Sequence, residues 1–230
     1  IDQEKAEREM IYAITHGVNY FDTAYIYPGN EAALGKLFQK GWRSRVFLAT
    51  KIPHYKIRSL SDLERIFAEE LSRLHTDYID YYLMHMLPSV QTWQRLCTLG
   101  VSDWLEQKKR EGIIRHIGFS FHGGTENFKS LIDTYPWDFC QIQYNYINLT
   151  HQAGTEGLKY AASKGLGVVI MEPLLGGKLA NLAPHVAEAF PEGKSHVEYA
   201  LDFLWDKPEV SLLLSGMTEP EQVEANLEYA

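Results

Sequence analysis

The 230-residue chain has little cysteine, no long cationic run and no long apolar run. Its two cysteines, Cys97 and Cys140, lack a Cys-x-x-Cys spacing, which argues against a disulfide scaffold and against a zinc or iron–sulfur site in these residues. We therefore expect a reducing, cytoplasmic location. No apolar run approaches the roughly 20 residues that span a bilayer, and no cationic and then apolar leader opens the sequence. The sequence thus predicts neither a metal site nor a membrane partner.

Positive charge is also scarce. Asp and Glu number 30 against 22 Lys and Arg, the formal net charge is −8, and the longest basic run is Lys108 to Arg110. Binding to a phosphate backbone needs clustered basic residues, so we do not expect nucleic acid as a partner. Apolar and aromatic residues are plentiful, at 45% and 13% of the chain, which is enough for a substantial core.

Helical and strand patterns alternate along the chain, which predicts βα units around a parallel sheet. The predicted strands are residues 18–22, 46–50, 78–84, 115–119, 139–144, 167–171 and 210–214. The predicted helices are residues 2–16, 31–39, 61–74, 101–111, 126–135, 155–164, 195–205 and 220–228. The third helix opens with Ser61-Asp-Leu-Glu64, which has the form of a capping box.

We interpret this alternation as an α/β fold of the (β/α)8 TIM-barrel type. Such a barrel has eight strands in about 250 residues, and one fewer is predicted here, so we expect the first strand upstream of residue 1 and a single barrel domain over residues 1–230. A doubly wound sheet is disfavoured because no Gly-x-Gly-x-x-Gly follows a strand, and Gly165-Leu-Gly167 enters one instead. Residues 86–100 form a long insertion that either lines a pocket or packs on the surface.

Four polar side chains lie at or just past strand ends. The segment Gly17-Val-Asn-Tyr-Phe-Asp-Thr-Ala-Tyr-Ile-Tyr27 ends a strand with Asp22 and places Tyr27 five residues later, and two later strands finish with Lys51 and His85. In a barrel all strand C-termini point to one face, so these side chains are expected to converge. Singly, each has an ordinary structural interpretation, such as a helix cap or a solvated charge. Their joint placement is what favours a site.

A convergent carboxylate, phenol, ammonium and imidazole can donate a proton during carbonyl reduction. Tyr27 would protonate the carbonyl oxygen, and a neighbouring ammonium, for which Lys51 is the candidate, would lower its pKa from near 10. Asp22 would pair with Lys51 and hold its charge. His85 would orient the carbonyl oxygen or join a proton relay. The hydride must come from a cofactor, because no side chain donates one.

Longer motifs around these residues resemble those of the aldo-keto reductase family, and the resemblance covers essentially the whole chain. The matching motifs are Gly17-Val-Asn-Tyr-Phe-Asp-Thr-Ala-x-x-Tyr27, Gly29-Asn-Glu-Ala-Ala-Leu-Gly35, Leu48-Ala-Thr-Lys51, Asp77-Tyr-Ile-Asp-Tyr-Tyr-Leu-Met-His85, Gly112-Ile-Ile-Arg-His-Ile-Gly-Phe-Ser120, Gln141-Ile-Gln-Tyr-Asn145 and Pro173-Leu-Leu-Gly-Gly-Lys-Leu179. The resemblance implies a (β/α)8 barrel, NAD(P)H as cofactor without a metal, and reversible reduction of small-molecule aldehydes or ketones. It also implies that Asp22, Tyr27, Lys51 and His85 form a catalytic tetrad.

The same resemblance implies positions for the nicotinamide part of the cofactor. Ser120 and Gln141 match the residues that hold the carboxamide. The family usually follows that serine with Asn, where this chain has Phe121 and then His122, so either His122 substitutes or the amide contact is altered. Met171 takes the position of an aromatic residue that stacks on the nicotinamide in many members, and its thioether is a softer packing face.

Positions for the rest of the nucleotide are implied in the same way. The backbone from Leu174 onward is expected near the pyrophosphate, because Gly176 and Gly177 permit close approach, although an ordinary glycine turn is the alternative. The segment from Ser215 to Asn226 matches the part of the family that binds adenosine.

Cofactor preference depends on this last segment. Where members that prefer NADPH carry Lys and Arg, this chain has Gly216 and Gln222. Acidic residues lie nearby, at Glu219, Glu221 and Glu224. Their repulsion of a 2′-phosphate favours NAD or weak NADP selectivity, unless Lys178 or a residue beyond the last position compensates.

Three further possibilities stay open. The motifs resemble a bacterial and archaeal branch of the family whose members often carry a C-terminal ferredoxin-like extension, so an iron–sulfur extension or an electron-transfer partner is conceivable outside these residues. The chain could instead be a non-enzymatic, nucleotide-binding subunit with a redox-sensing or regulatory role. It could also be an incomplete scaffold that is inactive by itself.

Overall fold

The structure is a computed structural model that describes residues 2–230. These residues fold as two compact units, residues 2–120 and residues 121–230. Seven strands and ten α-helices lie within residues 2–230. All the predicted strands and helices are present, most of them with ends shifted by a few residues. The strand expected upstream of residue 1 lies outside the described residues, and the expectation of one domain stays a prediction.

The first unit is built on four parallel strands. The strands are β1 (Tyr20–Asp22), β2 (Phe47–Pro53), β3 (Ile79–His85) and β4 (Ile114–Phe121), each paired with the next. The helices are α1 (Gln3–Thr15), α2 (Asn30–Leu37), α3 (Leu60–Leu74), α4 (Val90–Thr98) and α5 (Val101–Arg110). Side chains alternate between the two faces of a strand, so Thr50 and Lys51 of β2 point in opposite directions. This alternation separates the site residues from those that face the helices.

Helix α3 begins earlier than the sequence predicted. Its N-cap is Ser59, whose hydroxyl oxygen accepts a hydrogen bond from the backbone N–H of Asp62. Ser59 has an extended backbone, which an N-cap residue requires, whereas Ser61 already lies inside the helix. The predicted capping box at Ser61 and Glu64 is therefore wrong.

The insertion over residues 86–100 contains a helix that the sequence did not predict. Ser89 caps α4 by accepting a hydrogen bond from Thr92, and both Trp93 and Leu96 are fully buried in the core of the first unit. Arg95 on the same helix donates hydrogen bonds to backbone carbonyls of His54 and Ile57. The segment is thus part of the core rather than a surface appendage.

The second unit contains three parallel strands. They are β5 (Phe139–Gln143), β6 (Gly167–Met171) and β7 (Leu212–Leu213), paired in that order. Its helices are α6 (Thr125–Ile132), α7 (Gly154–Ser163), α8 (Pro184–Ala187), α9 (His196–Trp205) and α10 (Pro220–Tyr229). The four-residue α8 is the one helix of this unit that the sequence did not predict. It lies in the long connection between β6 and α9.

Candidate active site

Three of the four predicted catalytic residues lie at the carboxyl ends of neighbouring strands in the first unit. Asp22 is the last residue of β1, His85 is the last residue of β3, and Lys51 lies two residues before the end of β2. The register places Pro53 opposite His85, so Lys51 and His85 belong to the same end of the sheet. Parallel strands bring such ends to one edge, which explains why these residues meet.

Lys51 and Asp22 form the predicted ion pair. The ammonium of Lys51 is only 1% exposed and donates hydrogen bonds to the carboxylate of Asp22 and to the carbonyl oxygen of Thr23, the second at 2.8 Å. Burial lowers the pKa of Lys51, because a charge is poorly solvated there, and the negative charge of Asp22 opposes that effect. The pair therefore keeps a cation inside the first unit.

Tyr27 lies on the loop after β1, where its backbone N–H donates to the carbonyl oxygen of Ala24. Its ring contacts the imidazole of His85, with centroids 5.7 Å apart, and lies 5.1 Å from Nζ of Lys51. The side chain is 37% exposed, so a small molecule can reach it. The structure thus brings all four predicted residues together within the first unit.

The pKa of Tyr27 differs from what the sequence analysis predicted. Burial raises it above its ordinary value, and the negative charge of Asp22 raises it further. Lys51 was expected to lower it, but the ammonium is held by Asp22 and Thr23, and the partner carboxylate acts on the phenol with the opposite sign. Tyr27 therefore keeps its proton at neutral pH.

Ser120, predicted to hold the carboxamide, lies near the end of β4 and is buried. Its hydroxyl oxygen accepts a hydrogen bond from the backbone N–H of Met86 at 2.8 Å, and its carbonyl accepts one from Leu87 at 2.9 Å. A serine hydroxyl carries one donor in addition to its lone pairs. The hydroxyl can therefore still donate a hydrogen bond to a ligand.

The second unit contains a cavity of about 630 Å³. Seven of the residues predicted to bind the cofactor line it, namely Leu174, Gly176, Gly177, Ser215, Gly216, Gln222 and Asn226. Gly176 and Gly177 have φ values of 63° and 87°, a conformation that side chains rarely adopt. The turn after β6 therefore needs these glycines to bring its backbone to the cavity wall.

Hydrogen bonds to the loop before α10 hold two of the lining side chains, Gln222 and Asn226, in place. The amide oxygen of Gln222 accepts a hydrogen bond from the backbone N–H of Thr218 at 2.8 Å, and Asn226 donates to the hydroxyl of Ser215 at 2.9 Å. The lining residues include Glu172 and Glu221 but neither Lys nor Arg. In the part of the chain that the structure describes, the charge of the cavity wall is therefore acidic.

Three other predicted cofactor residues lie in the second unit but outside the lining of the cavity. Gln141 is 3% exposed on β5, Met171 is the last residue of β6, and His122 is exposed just after β4. Oε1 of Gln141 is buried and has no hydrogen-bond partner among residues 2–230. A buried acceptor without a donor costs free energy, so Gln141 fits a ligand that supplies an N–H group, as a carboxamide does.

Several cavity residues were not predicted from the sequence. They are Glu172, Pro173, Ala180, Asn181, Ser195, Val197, Leu214 and Tyr229, whereas Met217, Glu221 and Ala225 lie within the predicted segment from Ser215 to Asn226. Ser195 is the N-cap of α9, accepts a hydrogen bond from Glu198 and donates one to the hydroxyl of Tyr229. Its position before a helix was readable in the sequence, but its approach to α10 depends on the fold.

Two features are absent from residues 2–230. No group of three or more His, Cys, Asp or Glu side chains in this range is arranged to hold a metal ion. No helix in this range combines the length and the apolar character needed to cross a bilayer.

Comparison with protein families gives one match over the full length. The sequence model of the Aldo/keto reductase family matches residues 1–230. Among curated proteins, the chain is 31% identical to the uncharacterized oxidoreductase YrpG of Bacillus subtilis, over 79% of this chain and 61% of that protein. It is 29% identical to L-galactose dehydrogenase of Arabidopsis thaliana, over 92% of this chain and 73% of that protein. The chain thus spans about three fifths to three quarters of these two relatives.

Solved structures of aldo-keto reductases have the same fold as this chain. Aldo-keto reductase AKR11C1 from Bacillus halodurans, in its holo form, is 26% identical and superposes with a TM-score of 0.83 over 100% of this chain and 82% of that one. An aldo-keto reductase from Klebsiella pneumoniae in complex with NADPH is 24% identical, with a TM-score of 0.81 over 99% of this chain and 79% of that one. The predicted fold class, an α/β chain of the (β/α)8 type, is confirmed.

Proposed function

The chain belongs to the aldo/keto reductase family, and from that premise we propose that it reduces small aldehydes or ketones to alcohols with NAD(P)H, in a reversible reaction. At the level of the family, the predictions of an NAD(P)-dependent oxidoreductase and of a nicotinamide cofactor are confirmed. The reaction, the roles of single residues and a cytoplasmic location, which the two free cysteines favour, are our proposal.

The observation that carries the proposal is the group formed by Tyr27, His85, Lys51 and Asp22. A phenol that keeps its proton lies beside an imidazole and a buried ammonium, and the ammonium is held by a carboxylate. A protonated phenol with partial exposure is a suitable general acid for a carbonyl oxygen. Packing alone does not explain the buried ion pair of Lys51 and Asp22, because burying two charges costs free energy.

We assign one role to each side chain. Tyr27 donates its proton to the carbonyl oxygen of the substrate, and His85 donates a hydrogen bond that orients the same oxygen. As the proton leaves, negative charge develops on the Tyr27 oxygen, and the ammonium of Lys51 stabilises it. Asp22 keeps Lys51 charged and in place. The nicotinamide cofactor supplies the hydride for the carbonyl carbon when it is bound.

Several side chains have chemistry that suits a nicotinamide dinucleotide. In the second unit, the orphaned oxygen of Gln141 suits the N–H group of a carboxamide. In the first unit, the hydroxyl donor of Ser120 suits a carbonyl oxygen. Gly176, Gly177 and the other residues that line the cavity in the second unit suit the remainder of the dinucleotide. Met171 offers an apolar thioether at the end of β6. The residues present therefore fit a nicotinamide dinucleotide.

We further propose that NADH is preferred over NADPH. Glu172 and Glu221 line the cavity, and neither Lys nor Arg does so. The carboxylate of Glu219 caps the N-terminus of α10, which would otherwise attract an anion through its free N–H groups. A 2′-phosphate dianion would meet negative charge there, whereas an unmodified ribose would not.

The test is turnover of a broad aldehyde substrate, 4-nitrobenzaldehyde, with NADH and with NADPH, followed by the absorbance of the reduced nicotinamide. We expect consumption of the cofactor that depends on both protein and aldehyde. L-galactose, the sugar in the name of the Arabidopsis thaliana relative, should be assayed in the oxidation direction with NAD⁺. Binding of the nucleotide without turnover of any carbonyl would favour the non-enzymatic regulatory alternative instead.

A further inference from the structure

We propose that Arg73 is a positioning residue for the general acid, because its guanidinium fixes the loop that carries Tyr27 and the strand that carries Lys51. Arg73 lies near the end of α3, and its links to Tyr27 and Lys51 run through other residues. The inference rests on the proposed function, since it concerns the geometry of the same proton-donating site.

The first set of contacts joins Arg73 to the loop through Tyr25. Nη1 of Arg73 donates to the backbone carbonyl of Tyr25 at 3.4 Å, and the guanidinium lies over the Tyr25 ring, 4.5 Å from its centroid. Tyr25 lies two residues before Tyr27, and its backbone N–H donates to the carbonyl oxygen of Lys51 at 3.1 Å. A shift of Tyr25 would therefore move the loop with respect to Lys51.

The second set joins Arg73 to β2 through Glu31. Nη1 of Arg73 lies 3.1 Å from Oε2 of Glu31, and the other oxygen of this buried carboxylate accepts a hydrogen bond from the Thr50 hydroxyl at 2.8 Å. Thr50 directly precedes Lys51. The guanidinium is thus linked to Lys51 through Tyr25 and through Glu31 and Thr50, and to Tyr27 through Tyr25, two residues earlier in the chain.

Glu69, which lies on α3 with Arg73, contacts both Tyr25 and Arg73. It accepts a hydrogen bond from the Tyr25 hydroxyl at 2.7 Å and pairs with Nη2 of Arg73 at 3.3 Å. Arg73 therefore contacts the ring and carbonyl of Tyr25, Glu31 and Glu69 at once, which the planar fork of a guanidinium permits and a single ammonium does not. Displacements of about 1 Å in a catalytic group cost roughly 10²-fold in rate. A change at Arg73 should for this reason act on proton transfer.

The test compares Arg73→Gln and Arg73→Lys with Lys164→Gln as the matched control. Lys164 also pairs with a carboxylate on the surface, that of Asp133, and its side chain is 44% exposed, against 40% for Arg73. We expect kcat to fall about tenfold in Arg73→Gln, with a larger solvent deuterium isotope effect and little change in the Kd of the nucleotide. Arg73→Lys should recover part of the rate, and the control should match the wild type.

Tyr25→Phe provides a second test that does not depend on the folding of Arg73→Gln. It removes the hydroxyl bonded to Glu69 and keeps the ring under Arg73, so we expect a smaller fall in kcat with the same isotope effect. A shift in the urea midpoint alone, with kcat and isotope effect unchanged in all three variants, would show a merely structural ion pair and overturn the inference. An inactive wild type would overturn the proposed function, whereas an active wild type with unaffected variants overturns only this positioning role.

Discussion

The ring of Tyr27 meets the imidazole of His85 edge to face, with centroids 5.7 Å apart and an angle of 85° between the planes. Nζ of Lys51 lies 5.1 Å from the centroid of the same ring. Both are contacts of the ring and not of the hydroxyl oxygen, so a phenyl ring at this position would keep them. The acid function of Tyr27 is therefore separable from its packing.

This separation predicts the behaviour of Tyr27→Phe. We expect kcat for aldehyde reduction to fall by about 10²- to 10⁴-fold, the usual contribution of general acid catalysis, while the thermal midpoint stays unchanged. Tyr55→Phe is the matched control, because Tyr55 is an exposed tyrosine of the same unit. Steady-state kinetics with thermal unfolding of both variants provide the measurement. Full activity in Tyr27→Phe would remove the proposed proton donor.

The pH dependence follows from the direction of the Tyr27 pKa. Burial and the charge of Asp22 both raise it above the ordinary value of 10, so the phenol stays protonated throughout the neutral range. Reduction needs the protonated form, and kcat/KM should therefore stay level as the pH rises from neutral and fall only above pH 10. An alkaline decline that begins near neutral pH would contradict the raised pKa.

Asp22→Asn tests the cause of that shift. Without the carboxylate, one of the two effects that raise the pKa of Tyr27 is lost, and Lys51 loses the partner that opposes the lowering of its own pKa. Both changes move the alkaline decline to lower pH. Asp77→Asn, at an exposed position of the same unit, should leave the profile unchanged. Profiles of kcat/KM against pH for both variants provide the measurement, and an unchanged profile in Asp22→Asn would show that Asp22 does not cause the shift.

The parts of the fold that the sequence predicted well are those with sharp local signals. The strand Gly167–Met171 has the predicted bounds, because Gly165 ends the preceding helix and an unbroken apolar run follows. Helix α4 was missed although Ser89 is a suitable N-cap and Val90, Trp93 and Leu96 recur at helical spacing, because the segment was interpreted as an irregular insertion between β3 and α5.

The sequence predicted which residues form the candidate site, but it did not predict all of their properties. Strand-end positions were enough to select Asp22, Lys51 and His85, because parallel strands expose their carboxyl ends together. The direction of the Tyr27 pKa was not predictable, since it depends on which partner Lys51 binds and on how deeply the phenol is buried. Ser195 was missed as a cavity residue because its approach to α10 is set by the tertiary fold.

The charge of the cavity in the second unit predicts the choice of nucleotide. We expect tighter binding of NADH than of NADPH, measured by quenching of tryptophan fluorescence. Glu221→Lys replaces a lining carboxylate with a cation and should shift the ratio of the two Kd values toward NADPH by about tenfold, or about 1.4 kcal/mol. Glu228→Lys introduces the same charge change at an exposed position of α10 outside the lining and should leave the ratio unaltered. A wild-type preference for NADPH would show that other groups outweigh the two glutamates.

Gly35 allows α2 to approach α3, and its substitution should destabilise the first unit. A Cβ at this position would lie 1.9 Å from the carbonyl oxygen of Arg73 and 2.9 Å from the ring of His75, so the helices would have to separate. We expect Gly35→Ala to cost about 1–3 kcal/mol in the free energy of unfolding. Gly124→Ala is the control, because its Cβ would meet open space at an ordinary φ of −77°. Urea denaturation should place the midpoint of Gly35→Ala well below that of the control, and equal midpoints would mean that α2 can move at no cost. Since the obstructing oxygen belongs to Arg73, a destabilised but folded Gly35→Ala should also lose part of its kcat.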